Sequence, residues 1–165
     1  MLIAVDTNVL LDLALEVEAV KDALDTVRKR IPGVRLVVPP TVLHELAFTV
    51  KSGDTEKKCQ AAFRALSCLR QWGFEPLNLV PVGLGIVERI ADALRHGGLI
   101  PTEEKNDSFI VAESALLDCR MLLSTDGHMR GIDLEQLTVT LHGFDVGVPL
   151  IATPREIVRK FMPKR

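Results

Sequence analysis

The stretch LIAVD at residues 2–6 decides the fold. Four apolar residues run without interruption into an aspartate, and such a run is typical of a strand that is buried on both faces of a parallel sheet. A helical apolar pattern begins immediately afterwards. The chain therefore opens with a buried strand that leads into a helix, and its first acidic residue, Asp6, stands at the carboxyl end of that strand.

Further short apolar segments have the same character and alternate with amphipathic helical patterns. This alternation is typical of α/β proteins, in which helices cover both faces of the sheet. We expect a three-layer α/β/α sandwich with a central, mostly parallel sheet. The predicted later strands are Leu36–Val38, Leu77–Val80, Met121–Leu123 and Val148–Ala152.

The helices are marked by apolar residues at steps of three and four and by residues that favour helix ends. The first pattern fits either one long helix or two helices with a break near Glu16. Asp54 is predicted to cap a later helix and Gly73 to end it. The clearest local signal is the capping box TPRE at residues 153–156, with proline at the first helical position.

Length and composition favour one globular domain. The chain has 165 residues, of which 47% are hydrophobic and 25% charged, which is sufficient for a single core. We therefore expect residues 1–165 to form one domain, with disorder only at residues 163–165. The net charge of −2 argues against a protein that coats DNA through a basic face, but it is compatible with an enzyme that has a local basic patch.

The cysteines and the N-terminus bear on the compartment. The three cysteines lie far apart without a C-x-x-C pair, which is typical of reduced thiols rather than of a disulfide framework or a zinc site. No secretory signal opens the chain, and no segment approaches the roughly 20 apolar residues of a membrane span. A cytoplasmic protein that does not associate with membranes is expected.

Acidic residues stand where the predicted strands end. Asp6 directly follows the first strand, and Asp126 closely follows the strand Met121–Leu123. Asp107 opens the helix that leads into that same strand, and Glu45 lies one turn into the helix after the second strand. Because ligands of open parallel sheets bind outside the carboxyl ends of the strands, we expect these four residues, the acidic quartet, to meet at one edge.

Each member of the acidic quartet also has a purely structural explanation. Asp6 and Asp107 are suited to capping helices, and Asp126 next to Gly127 is suited to an ordinary turn. Glu45 is suited to a solvated helix surface. The sequence alone leaves both kinds of explanation open.

Converging carboxylates have a chemical use. They repel one another and raise each other's pKa unless a cation lies among them. A hard divalent ion with oxygen ligands, Mg²⁺ or Mn²⁺, resolves that repulsion, whereas the chain lacks a Cys/His set for zinc. Such an ion orients and activates water and neutralises charge on a reacting phosphodiester. One ion and two ions both fit.

Five stretches form a set in a fixed order: IAVDTNVLLD at residues 3–12, VLHEL at 42–46, NDSFIVA at 106–112, LLSTDG at 122–127 and TPRE at 153–156. The set resembles PIN-domain ribonucleases, and VapC-like toxins among them. The resemblance implies an α/β/α sandwich and metal-dependent cleavage of single-stranded RNA. It also implies a homodimer and, for a toxin, an antitoxin protein that inserts a segment into the active-site groove.

The resemblance also assigns roles to residues. It implies that Asp6, Glu45, Asp107 and Asp126 are the catalytic and metal-binding acids. Asn8 matches a small polar position beside the first aspartate, and Ser124 matches a hydroxyl position before the last one; both are expected to support the site.

The chain departs from the family pattern after Asp126. Many members carry a further aspartate and then phenylalanine where this chain has His128 and Met129. The missing aspartate weakens the case for a second metal ion more than the case for the first. His128 is a candidate for contacting the site, and Lys105 and Arg130 are candidates for steering RNA, although for each of the three taken alone a surface position without a role in the site is the favoured explanation.

Two other functions compete with a nuclease. An aspartate after the first strand also opens phosphatases of the haloacid-dehalogenase type, but those carry a second aspartate where this chain has Asn8. A catalytically silent RNA-binding or scaffold domain is the other alternative, although all four acids are present. Nucleotide binding through a glycine-rich loop is disfavoured because no such fingerprint follows a strand.

Overall fold

The computed structural model describes residues 1–79 and 84–161, and its centre is a five-stranded parallel sheet in the order β3-β2-β1-β4-β5. The strands are β1 (Leu2–Val5), β2 (Arg35–Val38), β3 (Phe74–Pro76), β4 (Met121–Leu123) and β5 (Leu150–Ala152). The helices of the described part are α1 (Thr7–Ala14), α2 (Glu18–Arg30), α3 (Pro40–Ser52), α4 (Glu56–Cys68), α5 (Leu84–His96), α6 (Lys105–Leu116), α7 (Gly127–Arg130), α8 (Leu134–His142) and α9 (Pro154–Phe161).

Strand β1 lies at the centre of the sheet, as its unbroken apolar sequence predicts. Ile3, Ala4 and Val5 are fully buried within one contiguous core. From β1 the chain runs outward to β2 and β3, then returns to β4 on the other side of β1 and continues to β5. The strand order therefore reverses between β1 and β4, and in such sheets a crevice opens at the carboxyl ends of the two strands. The predicted α/β/α sandwich with a parallel sheet is confirmed.

The third strand lies earlier in the chain than predicted. It comprises Phe74–Pro76, not Leu77–Val80, and Val80 lies outside the described residues. Pro76 precedes the predicted segment as an apparent strand boundary, but β3 is an edge strand, where proline is tolerated because its missing N–H faces away from the ladder. Phe74 is only 2% exposed, so a core aromatic holds this strand in place.

The first helical pattern is two helices. Helix α1 ends at Ala14 and α2 begins at Glu18, with Glu16 in the left-handed region at a φ of 64°. This conformation is costly for a residue with a side chain, and Arg64 offsets the cost by donating to the Ala14 carbonyl at 2.8 Å and to Glu16 at 2.7 Å. Of the two arrangements that the sequence left open, the structure shows the one with a break near Glu16.

The prediction for the ends of α4 is wrong at both residues. Thr55 caps the helix by accepting a hydrogen bond from the Lys58 amide at 3.2 Å, whereas Asp54 reaches only the Lys58 ammonium group at 3.4 Å. The helix ends at Cys68, and Gly73, with a φ of +74°, forms the turn into β3. Two adjacent capping residue types left the choice between Asp54 and Thr55 undetermined by sequence.

Helices α7 and α8 lie in a stretch to which the sequence analysis assigns no structure. An aspartate caps the start of each helix: Asp126 accepts from the His128 amide at 2.6 Å, and Asp133 accepts from the Gln136 amide at 2.9 Å. The side-chain caps satisfy backbone donors that short helices otherwise leave to water. None of the described helices is long and apolar enough to cross a membrane.

The capping box at α9 is confirmed. The Thr153 amide and hydroxyl both donate to Glu156 Oε2, at 2.8 and 2.9 Å, and the Glu156 amide donates to Thr153 Oγ1 at 3.2 Å. Helix α9 packs against α2, so the box attaches the end of the chain to the first layer of helices.

We expect Thr153→Ala to lower the free energy of unfolding by about 1 kcal/mol, because the substitution leaves the first turn of α9 uncapped. Urea denaturation followed by circular dichroism measures the change. Thr138→Ala is the matched control, because Thr138 Oγ1 donates only to the Leu134 carbonyl of its own helix. Equal effects in both variants would contradict a capping role for Thr153.

Candidate active site

Asp6 lies at the reversal point of the sheet and is nearly fully buried, with 2% of its surface exposed. Its amide donates to the Leu123 carbonyl at 2.9 Å, which places it beside the end of β4. The Thr7 amide donates to Asp6 Oδ1 at 2.6 Å, and the Ser124 hydroxyl donates to Asp6 Oδ2 at 2.7 Å. Asp6 therefore caps α1, and the same side chain is fixed at the carboxyl ends of β1 and β4.

Glu45 connects three helices at the same edge. It lies in α3, and the Thr7 hydroxyl at the start of α1 donates to its Oε2 atom. The Asn106 amide group at the start of α6 donates to its Oε1 atom at 2.7 Å. Glu45 is therefore held by tertiary contacts and is not a solvated helix residue.

Asp107 has a buried carboxylate oxygen without a hydrogen-bond partner among the described residues. It lies in the first turn of α6, where Glu104 occupies the capping position without a side-chain cap, so Asp107 does not act as the helix cap. Its Oδ2 atom is buried and has no hydrogen-bond partner in the described part of the chain. A buried acceptor without a partner is costly in a folded protein, which points to a ligand that binds there.

Asp126 is linked to Asp6 through one hydroxyl group. The Asp126 amide donates to Ser124 Oγ at 3.0 Å, while the same Ser124 hydroxyl donates to Asp6. Asp126 also caps α7 through its Oδ1 atom. Ser124, which is expected to support the site, therefore contacts both Asp6 and Asp126 directly.

The acidic quartet is an electrostatically coupled cluster. Burial, together with the negative charges of Asp6 and Asp126, raises the pKa of Asp107 to about 7. Burial likewise raises the pKa of Asp6 to about 6, with contributions from Glu45 and Asp126, while the Ser124 hydrogen bond opposes the rise. Within residues 1–79 and 84–161, no lysine, arginine or histidine forms an ion pair with any of the four acids.

The donors present fit a hard divalent cation. They are carboxylate oxygens, one of them buried without a partner, and oxygen ligands are those that Mg²⁺ and Mn²⁺ accept. Among the described residues, no three His, Cys, Asp or Glu side chains lie close enough together to coordinate a metal ion in the positions that they occupy. Like charges keep apart unless a cation screens them, so a bound ion would draw the carboxylates inward.

Sequence reasoning missed Thr7, Asn106 and Glu113. Thr7 and Asn106 each stand next to a quartet aspartate, and adjacency was the only local signal for their contacts to Glu45. Glu113 is 5% exposed in α6, where the amide and hydroxyl of Thr41 donate to it at 3.0 and 2.8 Å. A glutamate inside a run of small and apolar residues was the signal that could have revealed it.

Burial raises the pKa of Glu113, and the hydrogen bonds from Thr41 partly oppose that rise. Its contacts join α6 to the start of α3. Because α3 carries Glu45 and α6 carries Asp107, Glu113 fixes the two helices that present half of the acidic quartet.

The remaining predicted residues lie around the cluster. Asn8 is exposed and lines a shallow groove with Asp12 and Lys58, so its supporting role stays a prediction while Thr7 makes the contact to Glu45. The His128 side chain is exposed, and it is the backbone amide of this residue that binds Asp126. Lys105 is exposed at the first position of α6.

A groove of about 490 Å³ lies beside the acidic quartet. Glu45 and Asn106 form part of its lining, and Phe48 and Phe109 form part of its apolar side. Phe48 is 68% exposed, which is unusual for a large aromatic side chain that only serves a core. Glu45 is therefore accessible from a groove that offers a ligand both polar and apolar contacts.

Residues 3–134, which include the whole acidic quartet, match the family model of the PIN domain, and the chain belongs to the PIN domain family. Its fold is similar to that of a chain in the crystal structure of VapBC2 from Rickettsia felis bound to a DNA fragment from their promoter. That similarity covers 93% of this chain and 98% of the other, with a TM-score of 0.61 and 15% sequence identity. No curated protein matches the chain. The family that the five sequence stretches predicted is confirmed.

Without divalent metal, the stability of the protein should fall as the pH rises from about 4 to about 7. Asp6 and Asp107 bind protons more tightly in the folded chain than in the unfolded chain, where their pKa is 3.8. The folded state therefore holds more protons across this window, and stability is lost as they dissociate and levels off above it. Chemical denaturation at several pH values in EDTA measures the slope.

We expect Asp107→Asn to make this slope shallower and to raise the melting temperature at pH 8, because one repelling charge is removed. Asp22→Asn, at an exposed position of α2, removes the same charge away from the cluster and should leave the slope unchanged. A lower melting temperature for Asp107→Asn would instead assign Asp107 a stabilising structural role.

Proposed function

We propose that the chain is a metal-dependent endoribonuclease that hydrolyses phosphodiester bonds of single-stranded RNA. The observation that carries the proposal is the coupling of four carboxylates, without a basic partner in the described chain, where the strand order reverses. One of these carboxylates has a buried oxygen with no partner. This arrangement is costly for a purely structural purpose and is suited to holding Mg²⁺ or Mn²⁺, as one ion or as two.

Asp6, Glu45, Asp107 and Asp126 would hold the ion. When bound, it supplies charge stabilisation for the phosphodiester and lowers the pKa of water. The chain's own contribution is preorganisation: Thr7 and Ser124 orient the two oxygens of Asp6, and Thr7 and Asn106 orient those of Glu45. Asp107 Oδ2 enters the site with no competing hydrogen bond.

The groove beside Glu45 supports a single-stranded substrate. Phe48 and Phe109 offer aromatic faces on which unpaired bases stack, and bases in a duplex are not available for such stacking. Thr49 and His44 line the same groove and supply polar groups. The choice of RNA over DNA rests on the family resemblance.

Membership in the PIN domain family and the fold similarity to VapBC2 support a toxin of a toxin–antitoxin pair as the biological setting. In that setting the protein would form a homodimer in the cytoplasm and bind an antitoxin protein. The exposed large apolar side chains of α3 and α4, Phe48 and Phe63, are available for protein contacts.

The two alternatives make different predictions for the same cluster. A silent RNA-binding or scaffold domain has no need of four coupled acids and would bind RNA without turnover. A phosphatase with Asp6 as nucleophile needs a second aspartate two residues on as general acid, but this chain has Asn8 at that position. The residues present therefore favour the nuclease over the phosphatase.

Cleavage of a short fluorescent single-stranded RNA should require Mg²⁺ or Mn²⁺ and stop in EDTA. We expect Asp6→Asn and Asp107→Asn each to lower the rate by about 100-fold or more, because each removes a charge that holds the cation. Asp22→Asn serves as the control with unchanged activity. Binding of RNA without cleavage in every metal tested would favour the silent domain, and covalent phosphorylation of Asp6 by a phosphate-ester analogue would favour the phosphatase.

Expression of the chain in a bacterial host should arrest growth if it acts as a toxin. The Asp6→Asn variant, produced at the same level, should restore growth because the nuclease activity is lost. Colony counts after induction, with protein levels checked by blotting, measure the effect. Normal growth with the active enzyme would argue against the toxin role and leave the nuclease proposal to the cleavage assay.

A further inference from the structure

A second cavity, of about 500 Å³, lies on the β4 and α7 side of the acidic quartet. It includes Thr125, the residue before Asp126, and Arg130, the last residue of α7. Arg155 and Arg159 of α9 complete a group of three arginines in its lining. We name this cavity the arginine pocket.

The three arginines are exposed and carry charge that the described chain does not neutralise. None of them forms an ion pair in residues 1–79 and 84–161. Glu156 is close enough for Arg130 and Arg159 to help lower its pKa, but its Oε2 atom is engaged by both Thr153 donors of the capping box. The guanidinium groups are therefore available to an anion from outside.

Two acids share the arginine pocket with the three arginines. Besides Glu156, the lining contains Asp12, which is half-buried and hydrogen-bonded to Thr125. Burial raises the pKa of Asp12, with the Thr125 hydrogen bond opposing the rise. The pocket keeps a positive balance even when both acids are ionised, in a chain whose net charge is −2.

Part of the lining of the arginine pocket is apolar. It comprises Val17, Ala19 and Val20 at the start of α2, and Pro154. Val17 is 39% exposed, so the pocket presents apolar surface to a ligand. A cavity of this volume, with both charged and apolar lining residues, matches the usual size and lining of a site for a small organic anion, and a nucleotide has both charged and apolar parts.

Resting on the proposed function, we infer that the arginine pocket binds an RNA phosphate next to the one being cleaved, with the adjoining nucleoside against Val17. Guanidinium groups match the geometry of phosphate oxygens and bind them bidentately. The acidic quartet repels RNA unless a cation is bound, so the strand needs an attachment that does not depend on the metal. Arg130, Arg155 and Arg159 provide it in a cavity whose lining includes Thr125, the residue before Asp126.

The test compares two double variants of the full chain with equal net charge. Arg155→Gln with Arg159→Gln alters the arginine pocket, whereas Arg70→Gln with Arg120→Gln removes two exposed arginines elsewhere; Arg120 precedes β4, at the opposite end of that strand from the quartet. Fluorescence anisotropy measures the Kd for a short single-stranded RNA in EDTA, which prevents cleavage, over a range of salt concentrations. Melting temperatures establish that both variants are folded.

We expect roughly tenfold weaker binding for the pocket variant than for the unaltered chain. Its slope of log Kd against log salt should fall by about 0.7, since the pocket is inferred to hold one phosphate and each phosphate contact with a single strand contributes about 0.7. The control variant should keep both the slope and the affinity. In Mn²⁺, the pocket variant should raise the KM for RNA cleavage with little change in kcat.

Equal losses in both variants, no loss in either, or no RNA binding by the unaltered chain in EDTA would each overturn the inference. It would also be overturned if the pocket variant lost binding to polyglutamate while binding RNA normally, because the pocket would then serve an acidic protein segment. Failure of the proposed function is seen separately, as the absence of metal-dependent cleavage by the unaltered chain.

Discussion

The candidate site depends on four carboxylates that the fold brings to one edge of a parallel sheet although they repel one another. Burial raises the free energy of ionised Asp6 and Asp107, and the negative charges of Glu45 and Asp126 add to that cost. The fold tolerates this cost because Ile3, Ala4 and Val5 of the central strand β1 are buried, and β1 pairs with β2 on one side and β4 on the other. Hydrogen bonds from Thr7, Asn106 and Ser124 then fix the orientation of Asp6 and Glu45.

Much of this arrangement follows from the local sequence. Unbroken apolar runs predicted β1 and β4 correctly, and the acids that follow them necessarily lie at the same edge, because parallel strands end together. The capping box at residues 153–156 was equally clear, since all of its hydrogen bonds lie within four residues. Local signals succeed where the interactions that decide the structure are themselves local.

The rest depends on contacts between distant residues. Asn106 and Glu45 are 61 residues apart in sequence, and no spacing rule predicts that one donates to the other. Helix α6 shows the same limit: packing against both α3 and α5 buries Ser108, Glu113 and Ser114 along with its apolar residues. At β3, the core accepts Phe74, so the strand lies earlier than the predicted segment Leu77–Val80.

The shortest helix of the described chain joins the two halves of the surface on which RNA would lie. Helix α7 has four residues, too few to persist without its cap, and that cap is Asp126, whose Oδ1 atom holds the first turn while Arg130 ends the last one. Asp126 would therefore bind the cation with the same carboxylate that caps the helix carrying Arg130, so both ends of this surface share one short element.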